Sequence, residues 1–194
     1  WDVEYEFPWG FKELMGIANR TDFDLREHST HSGKDLSIFD EATKEKVTPF
    51  VIEPSVGLDR LFFTLLLDAY SEGESKEGST IVLNLSPKVS PVQVSVFPLM
   101  KKDGLKEKAY EVFQTLLDHY ACEFDEAGSF GKRYARNDVV GTPYCVTIDY
   151  DSLKDADATI RERGTGTQIR VKEKDLVKTI GELLAGKLDF RKAG

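Results

Sequence analysis

Hydrophobic residues follow two different periods along this chain, one in its front part and one in its back part. Up to about residue 56, apolar and polar residues alternate in short segments, which indicates strands of an antiparallel sheet. These predicted strands are residues 1–7, 11–18, two short strands within 37–47, and 50–52. After about residue 91, strand patterns alternate with amphipathic helix patterns, which is typical of a sheet with helices on its faces.

The elements of the back part can be assigned in order. Strands are predicted at residues 92–96, 122–124, 144–150, 158–162 and 168–171, and helices at 109–120, 130–140 and 176–184. Gly141 and Gly186 follow two of these helices, where glycine commonly ends a helix. The predicted fold is an α+β domain over residues 1–80, followed by an α/β domain with a mixed sheet flanked by helices over residues 81–194.

A polar turn and a long apolar helix meet in residues 48–70. Glu53-Pro54-Ser55 interrupts the strand pattern, and Gly57 allows a close backbone turn before the helix. Apolar residues cover most of the circumference of this helix, which predicts that it is buried. Arg60 lies in the first turn and should point back at the polar turn, because helical side chains lean towards the N-terminus.

Two polar segments are predicted to be irregular. Residues 71–80 contain no apolar side chain, which predicts a linker or an exposed loop. Residues 26–35 include His28 and His31, but their Ser, Gly and Lys content indicates an exposed loop rather than a metal site.

Charge and cysteine content narrow the class of protein. The 194 residues carry a net charge of -8, and residues 1–80 hold 8 basic and 17 acidic side chains against 18 and 17 in residues 81–194. Cys122 and Cys145 fit neither a disulfide framework nor a zinc site, which favours a reducing, cytoplasmic location. No apolar run reaches the ~20 residues of a membrane span. The chain begins at Trp1, inside a strand pattern, as expected for a piece of a longer protein.

Several segments carry a family resemblance. EPSVGLDR at residues 53–60, between an apolar strand and an apolar helix, resembles motif 3 of the dimeric, class II glycyl-tRNA synthetases, and WGFKELMGIA at 9–18 resembles their Glu-Leu segment. VQVSVFPL, GSFGKRYARND, YCVTIDYDSL and ATIRERGTGTQIRV are similar to the anticodon-binding domain shared by glycyl-, histidyl-, prolyl- and threonyl-tRNA synthetases. The resemblance covers nearly the whole chain and implies the C-terminal part of such an enzyme, namely the end of the catalytic domain with motif 3 and the anticodon-binding domain.

The resemblance implies an activity and a set of site residues. The full enzyme would activate glycine with ATP and transfer it to glycine tRNA. Glu53 would bind the glycine ammonium, with Ser55 and Gly57 in the same pocket. Contacts to ATP would come from Glu13, Leu14, Gly57, Leu58, Asp59 and Arg60. Of these, Arg60 would bind the γ-phosphate and act with Glu53 in catalysis, and Glu13 would contact Mg²⁺.

Other properties of the full enzyme follow from the same resemblance. Motif 1, with the dimer helix, and the motif 2 arginine are expected upstream of Trp1. The present chain alone is therefore expected to be inactive, and the full enzyme is expected to be a homodimer without membrane contacts.

Two basic patches are candidate contacts for the anticodon arm of the tRNA. The first contains Lys132, Arg133 and Arg136, and the second contains Arg161, Arg163, Arg170 and Lys172. Phe130 and Tyr134 suit stacking on splayed bases, but their spacing of four equally fits a stripe facing the core.

Two alternatives stay open. Glu53 and Arg60 can instead form a buried ion pair that joins the strand to the helix. The chain can also be a non-catalytic, synthetase-like accessory subunit that binds nucleic acid. Loss of the ligand residues would mark that class, whereas Glu53, Ser55, Gly57 and Arg60 are all present.

Overall fold

A computed structural model describes residues 1–75 and 78–192 of the chain. The chain divides into two compact units, Trp1–Leu65 and Leu66–Gly194, and the boundary falls within the helix Leu58–Ala69. The strands are β1 (Asp2–Phe7), β2 (Gly10–Thr21), β3 (Ile38–Asp40), β4 (Glu45–Val47), β5 (Val51–Val56), β6 (Tyr70–Ser75), β7 (Gly78–Leu83), β8 (Val94–Pro98), β9 (Cys122–Phe124), β10 (Tyr144–Ile148), β11 (Asp157–Glu162) and β12 (Gln168–Lys172). The helices are α1 (Phe23–Ser32), α2 (Leu58–Ala69), α3 (Leu105–Leu117), α4 (Phe130–Val140), α5 (Tyr150–Asp155) and α6 (Leu176–Leu184).

The first unit is built on a three-stranded antiparallel sheet in the order β1-β2-β5, beside the separate hairpin β3-β4. In its pairing with each of the two neighbouring strands, β2 has one residue without a partner, which forms a bulge. Leu14 has no partner between Glu13 and Met15 in the register with β1, and Arg20 has none between Asn19 and Thr21 in the register with β5. Such bulges bend a strand and change the direction of its side chains.

Strand β5 differs from its prediction. The sequence predicts a strand over residues 50–52 and then a polar turn, whereas the strand continues through Glu53, Pro54 and Ser55 to Val56. Proline lacks a backbone donor, but β5 lies at the edge of the sheet, where one side of the strand needs no partner. The expectation of a turn is therefore wrong, and Glu53 and Ser55 are strand residues.

Helix α1 replaces the loop predicted at residues 26–35. It has no apolar stripe and no buried residue, so hydrophobic periodicity could not reveal it. Ser29 and Thr30 donate hydroxyl hydrogen bonds of 2.8 and 2.9 Å to the carbonyl groups four residues earlier. Gly33, at a φ of 67°, ends the helix in the left-handed conformation.

Helix α2 has the predicted bounds but not the predicted burial. Leu58 and Phe62 are 78% and 61% exposed. The aromatic ring of Phe63 stacks on Trp9, with ring centroids 6.0 Å apart, and on Phe7 at 6.2 Å. Within the described residues this aromatic contact covers only part of the helix, so the expectation of a buried helix is wrong for this chain.

The hairpin β6-β7 replaces the linker predicted over residues 71–80, although residues 76–77 lie outside the described residues. The two strands pair through their backbones, which does not require apolar side chains. At the base of the hairpin, the Asn84 amide N–H donates to the Ala69 carbonyl at 2.6 Å, and the Asn84 side chain donates to Ser71 Oγ at 2.8 Å. This segment therefore folds back on the end of α2.

The second unit contains a five-stranded sheet in the order β12-β11-β10-β8-β9. Strand β8 pairs in parallel with β9 and β10, and β11 pairs antiparallel with β10 and β12. This confirms the predicted mixed sheet flanked by helices. Helices α3 and α6 bury their apolar faces against one side of the sheet, in a core that includes Val94, Val96, Leu105, Leu116, Val146, Ile160, Leu176 and Ile180.

The loop after α4 holds the segment that leads into this sheet. The Gly141 carbonyl accepts hydrogen bonds from the Ser90 hydroxyl at 2.9 Å and from the Arg163 guanidinium. Arg163 also donates to the Leu85 carbonyl at 2.7 Å. Gly141 has a φ of 86°, and a Cβ there would stand 2.9 Å from Leu85 Cδ1 and 3.1 Å from the Leu83 carbonyl oxygen. Glycine is therefore required both by the backbone conformation and by the space.

The domain assignment of residues 1–80 and 81–194 remains a prediction. Among the helices of the described chain, none is long and apolar enough to cross a membrane.

We expect Gly141→Ala to lower the free energy of unfolding by about 2–5 kcal/mol, because it adds a steric clash to the cost of a left-handed alanine. Gly104→Ala is the matched control, because Gly104 has a φ of 82° and open space around its Cβ position. The control should lose only about 1–2 kcal/mol. Urea unfolding of both variants measures the difference, and equal losses would show that Leu85 does not pack tightly on Gly141.

Candidate functional site

Glu53 and Ser55 lie two residues apart on β5, so their side chains share one face of the sheet. Their cross-strand partners on β2 are Ala18 and Gly16, respectively. Paired residues of an antiparallel sheet lie on the same face. Because alanine and glycine fill little space, this face stays open beside the carboxylate and the hydroxyl, as a site for a small ligand requires.

Arg20 also reaches this face. Its Nε atom lies 3.6 Å from Glu53 Oε2, and both side chains are about half exposed, at 45% and 48%. The same guanidinium donates two hydrogen bonds to Asp24, of 2.7 and 2.9 Å. Sequence reasoning missed Arg20, although an Arg and an Asp four residues apart at the junction of a strand and a polar segment were visible signals.

Arg60 does not pair with Glu53. Its Nη1 atom donates to the Glu13 backbone carbonyl at 2.5 Å, which brings the first turn of α2 against the bulged strand β2. Among the described residues the ion pair with Glu53 is made by Arg20, so the alternative of an ion pair between Arg60 and Glu53 finds no support here. The contact places Arg60 beside Glu13 and Leu14, which the sequence analysis also assigns to ATP; that assignment stays a prediction.

The residues between Ser55 on β5 and Arg60 on α2 include Gly57, Leu58 and Asp59, and they form the start of α2. The Leu61 amide donates to the Gly57 carbonyl at 2.9 Å, which begins the helical hydrogen bonding. Leu58 and Asp59 are exposed in this first turn. Glu13 is exposed as well, and its Oε1 atom would lie 3.4 Å from a Cβ on Gly16. All of the predicted glycine and ATP residues therefore lie on β2, β5 or the start of α2.

Arg133 is the first of the predicted tRNA contacts that the structure corrects. It is 4% exposed and donates from Nη1 to the Pro98 carbonyl at 2.5 Å and from Nη2 to the Gly128 carbonyl at 3.1 Å. A buried side chain cannot contact a phosphate. Arg133 instead joins α4 to the end of β8 and to the loop before α4.

Arg161 and Arg163 are partly buried and also have partners within the protein. Arg161 makes two hydrogen bonds with Asp138, of 2.9 and 3.1 Å, and lies over the Tyr134 ring at 4.6 Å. Arg163 holds the carbonyl groups of Leu85 and Gly141, and burial lowers the pKa of its guanidinium. Both side chains are therefore engaged in packing α4 and its neighbouring segments onto the sheet.

The aromatic residues of α4 face the sheet. Phe130 and Tyr134 contact the Phe97 ring edge to face, with centroids 6.0 and 5.3 Å apart, and the Tyr134 hydroxyl lies 3.1 Å from Thr147 Oγ1. This matches the alternative in which the two rings form a stripe towards the core.

Exposed polar side chains remain on α4 and on β12. Lys132 and Arg136 are exposed, and Arg136 also bonds Asp125 at 2.5 Å. Gln168, Arg170 and Lys172 alternate along the edge strand β12 and are exposed. Their partners on β11 include Arg161, which contacts α4, so these three side chains lie on the α4 side of the sheet. Gln168 was not singled out from the sequence, because a glutamine carries no charge signal.

Neither cysteine is suited to nucleophilic chemistry. Burial raises the pKa of Cys122 to about 11 and that of Cys145 to about 12, so both stay protonated thiols at neutral pH.

Known proteins match both parts of the chain. Residues 93–183 match the family described as "Anticodon binding domain". The chain is 50% identical over 193 residues to the glycine–tRNA ligase of Acetivibrio thermocellus, a match that covers 97% of the chain and 40% of the relative. It is 53% identical over 176 residues to the glycine–tRNA ligase of Ruminiclostridium cellulolyticum, covering 90% of the chain and 38% of the relative. The chain belongs to the glycyl-tRNA synthetase family.

Membership of the glycyl-tRNA synthetase family confirms the resemblance drawn from the motif 3 segment and from the back part of the chain. The chain spans about 40% of the length of the curated relatives that it matches. The non-catalytic accessory subunit is not favoured, because these relatives are named as ligases.

We expect Arg133→Ala to lower the free energy of unfolding by about 2–4 kcal/mol, because it removes two hydrogen bonds and strands two carbonyl groups. Lys132→Ala, one residue earlier on the same helix, should change it by less than about 0.5 kcal/mol, since Lys132 is exposed. Thermal and urea unfolding measure both. If the two variants were equally stable, Arg133 would have to be reassigned to the surface.

Proposed function

We propose that this chain supplies the glycine pocket, the motif 3 contact to ATP and the anticodon-binding domain of a glycine–tRNA ligase. One observation carries the proposal. The Glu53 and Ser55 side chains share an open face of the sheet, while Arg60 contacts the backbone of Glu13 on the same strand that forms this face. An amino-acid site and an ATP site can thus be adjacent, as adenylate formation requires.

Glu53 and Arg20 suit the two charges of glycine. The Glu53 carboxylate accepts hydrogen bonds from the ammonium group, and the free edge of the Arg20 guanidinium donates to the glycine carboxylate. The two protein charges are 3.6 Å apart, which is comparable to the separation of the charges in a zwitterion whose ends are joined by one carbon. Ser55 accepts a further bond from the ammonium. Larger amino acids are excluded by steric conflict rather than by lost contacts.

Activation is a displacement at phosphorus. An oxygen of the glycine carboxylate attacks the α-phosphorus of ATP, the bond to the bridging oxygen of the β-phosphate breaks, and pyrophosphate leaves. Arg60 stabilises the γ-phosphate through paired donors, so catalysis rests on position and charge without a protein nucleophile. A bound Mg²⁺ would neutralise charge on the triphosphate. Glu13 fits this ion, because Mg²⁺ in nucleotide sites commonly takes one or two carboxylates together with phosphate oxygens.

The rest of the catalytic domain covers the exposed apolar surface of α2. Leu58 and Phe62 are largely exposed in this chain, and contiguous apolar surface of this kind normally lies in an interface. The complete enzyme is a cytoplasmic homodimer in this scheme.

The anticodon arm binds on the α4 side of the second sheet. Gln168, Arg170 and Lys172 lie on an exposed polar face, and Lys132 and Arg136 offer charge on α4. Arg170 is also bonded to Asp149 and Asp157, and Lys172 to the Asp155 carbonyl, so a base or phosphate would have to share or replace these partners. Single-stranded bases are read through hydrogen bonds and stacking on such surfaces. Arg133, Arg161 and Arg163 hold the surface together and do not contact RNA.

Substitutions in the complete enzyme test the two small-molecule sites. Glu53→Gln should raise the KM for glycine about ten- to a hundredfold, and Arg60→Ala should raise the KM for ATP by a similar factor, because each loses a charged hydrogen bond. Glycine-dependent exchange of pyrophosphate into ATP measures both. Glu45→Gln on the exposed strand β4 is the control. Equal weakening of both substrates by either variant, together with a lower melting temperature, would point to a structural role instead.

A salt titration of binding to the glycine anticodon stem-loop tests the RNA surface with the present chain. Lys132→Ala should flatten the slope of log affinity against log salt by about one phosphate contact, and Gln168→Ala should reduce the preference over an altered anticodon without changing the slope. Lys178→Ala is the control, because α6 packs on the other side of the sheet. A Lys178 effect equal to that of Lys132 would show that binding is not localised on this face.

A further inference from the structure

Arg20 lies between two carboxylates and pairs fully with only one. Its Nε and Nη2 atoms donate to Asp24 at 2.7 and 2.9 Å, while the nearest oxygen of Glu53 is 3.6 Å from Nε. The edge of the guanidinium that could form a double hydrogen bond through these two atoms is thus occupied by Asp24. The carboxylate oxygens of Glu53 therefore accept no hydrogen bond from Arg20 and can accept one from a ligand.

The bulge in β2 makes this arrangement possible. Arg20 is the extra residue in the register with β5, and Thr21 follows at a φ of 53° before the chain enters α1. Asp24 is in the first turn of that helix, four residues from Arg20. The bulge in β2 therefore places the Arg20 guanidinium on the same face as Glu53. The first turn of α1 places the Asp24 carboxylate beside the same guanidinium.

We propose that Asp24 is a positioning residue for glycine binding, which holds Arg20 beside Glu53 and keeps Arg20 from donating hydrogen bonds to that carboxylate. The inference rests on the proposed function of Glu53. With Asp24 in place, Arg20 presents its remaining edge to the glycine carboxylate and Glu53 remains free for the ammonium. Without Asp24, the guanidinium moves the short distance to Glu53 and closes the ammonium site.

Stability alone does not account for the pair. The Arg20 and Asp24 side chains are 45% and 25% exposed, and exposed pairs four residues apart contribute little to folding. Arg26 and Asp22 form a second pair of the same type and spacing beside it, with 68% and 24% exposure. Of the two arginines, only Arg20 lies within ion-pair distance of Glu53. Asp22 thus provides a matched control for Asp24.

The hydrogen bond from Arg20 lowers the pKa of the Asp24 carboxyl, so Asp24 is ionised throughout the neutral range. It therefore competes with Glu53 as a full negative charge. An asparagine at this position keeps the shape but loses the charge, which makes Asp24→Asn the most informative single change.

The test uses pyrophosphate exchange by the complete synthetase. Asp24→Asn should raise the KM for glycine about tenfold and leave the KM for ATP within about twofold, while Asp22→Asn should change neither. Asp24→Glu should retain most of the wild-type KM, because it preserves the carboxylate. The melting temperatures of the two Asn variants should agree, since they remove equivalent surface pairs.

A double substitution separates positioning from a direct role. In an Arg20→Gln background, Asp24→Asn should have no further effect on the KM for glycine, because there is no guanidinium left to hold or to misplace. An equal effect of Asp24→Asn in both backgrounds would overturn the proposal, as would an unchanged glycine KM in the single Asp24→Asn variant. The proposed function fails separately, if Glu53→Gln leaves the KM for glycine unchanged.

Discussion

Strand β2 has one unpaired residue in its register with β1 and another in its register with β5. The candidate site of the first unit depends on these two bulges. A strand of period two would place Glu13 and Met15 on one face and Leu14 on the other. The bulge at Leu14 breaks that alternation where α2 packs against β2. The second bulge does the same for Arg20 beside Glu53. Both irregularities thus lie beside residues of the proposed glycine and ATP sites.

The second unit uses arginine for a different purpose. Arg133, Arg161 and Arg163 each join α4 or its flanking loops to other elements through two hydrogen bonds. A guanidinium has five donors in a rigid plane, which suits backbone carbonyl groups and carboxylates as well as phosphates. Residue type and local charge cannot separate these partners. The sequence therefore shows where the basic segments lie, but it could not tell which arginines reach the surface.

Elements with an apolar stripe were predictable, and those without one were not. The strands of the mixed sheet and the helices α3 and α6 follow from periodicity, because each buries one face in the same core. Helix α1 and the hairpin β6-β7 depend on backbone pairing and on local side-chain hydrogen bonds, which leave no hydrophobic pattern. Strand β5 was shortened in the prediction because Pro54 signals a break unless the strand is known to be an edge. The chemistry of Glu53, Ser55 and Arg60 came from a motif, whereas Arg20 required the register of the sheet.

The contacts among Gly141, Leu85 and Arg163 limit where the anticodon-binding domain could be replaced by that of another protein. The base of the hairpin is bonded to Ala69, and the Leu85 carbonyl accepts a hydrogen bond from Arg163, which directly follows β11. A gene fusion that joined a foreign anticodon-binding module at residue 81 would divide β7 and leave β6 without most of its partner strand. Recombination that preserves folding must carry the whole hairpin, with its junction inside or before α2. On this account, a junction that keeps the hairpin β6-β7 intact has to lie within or before the helix that carries Arg60.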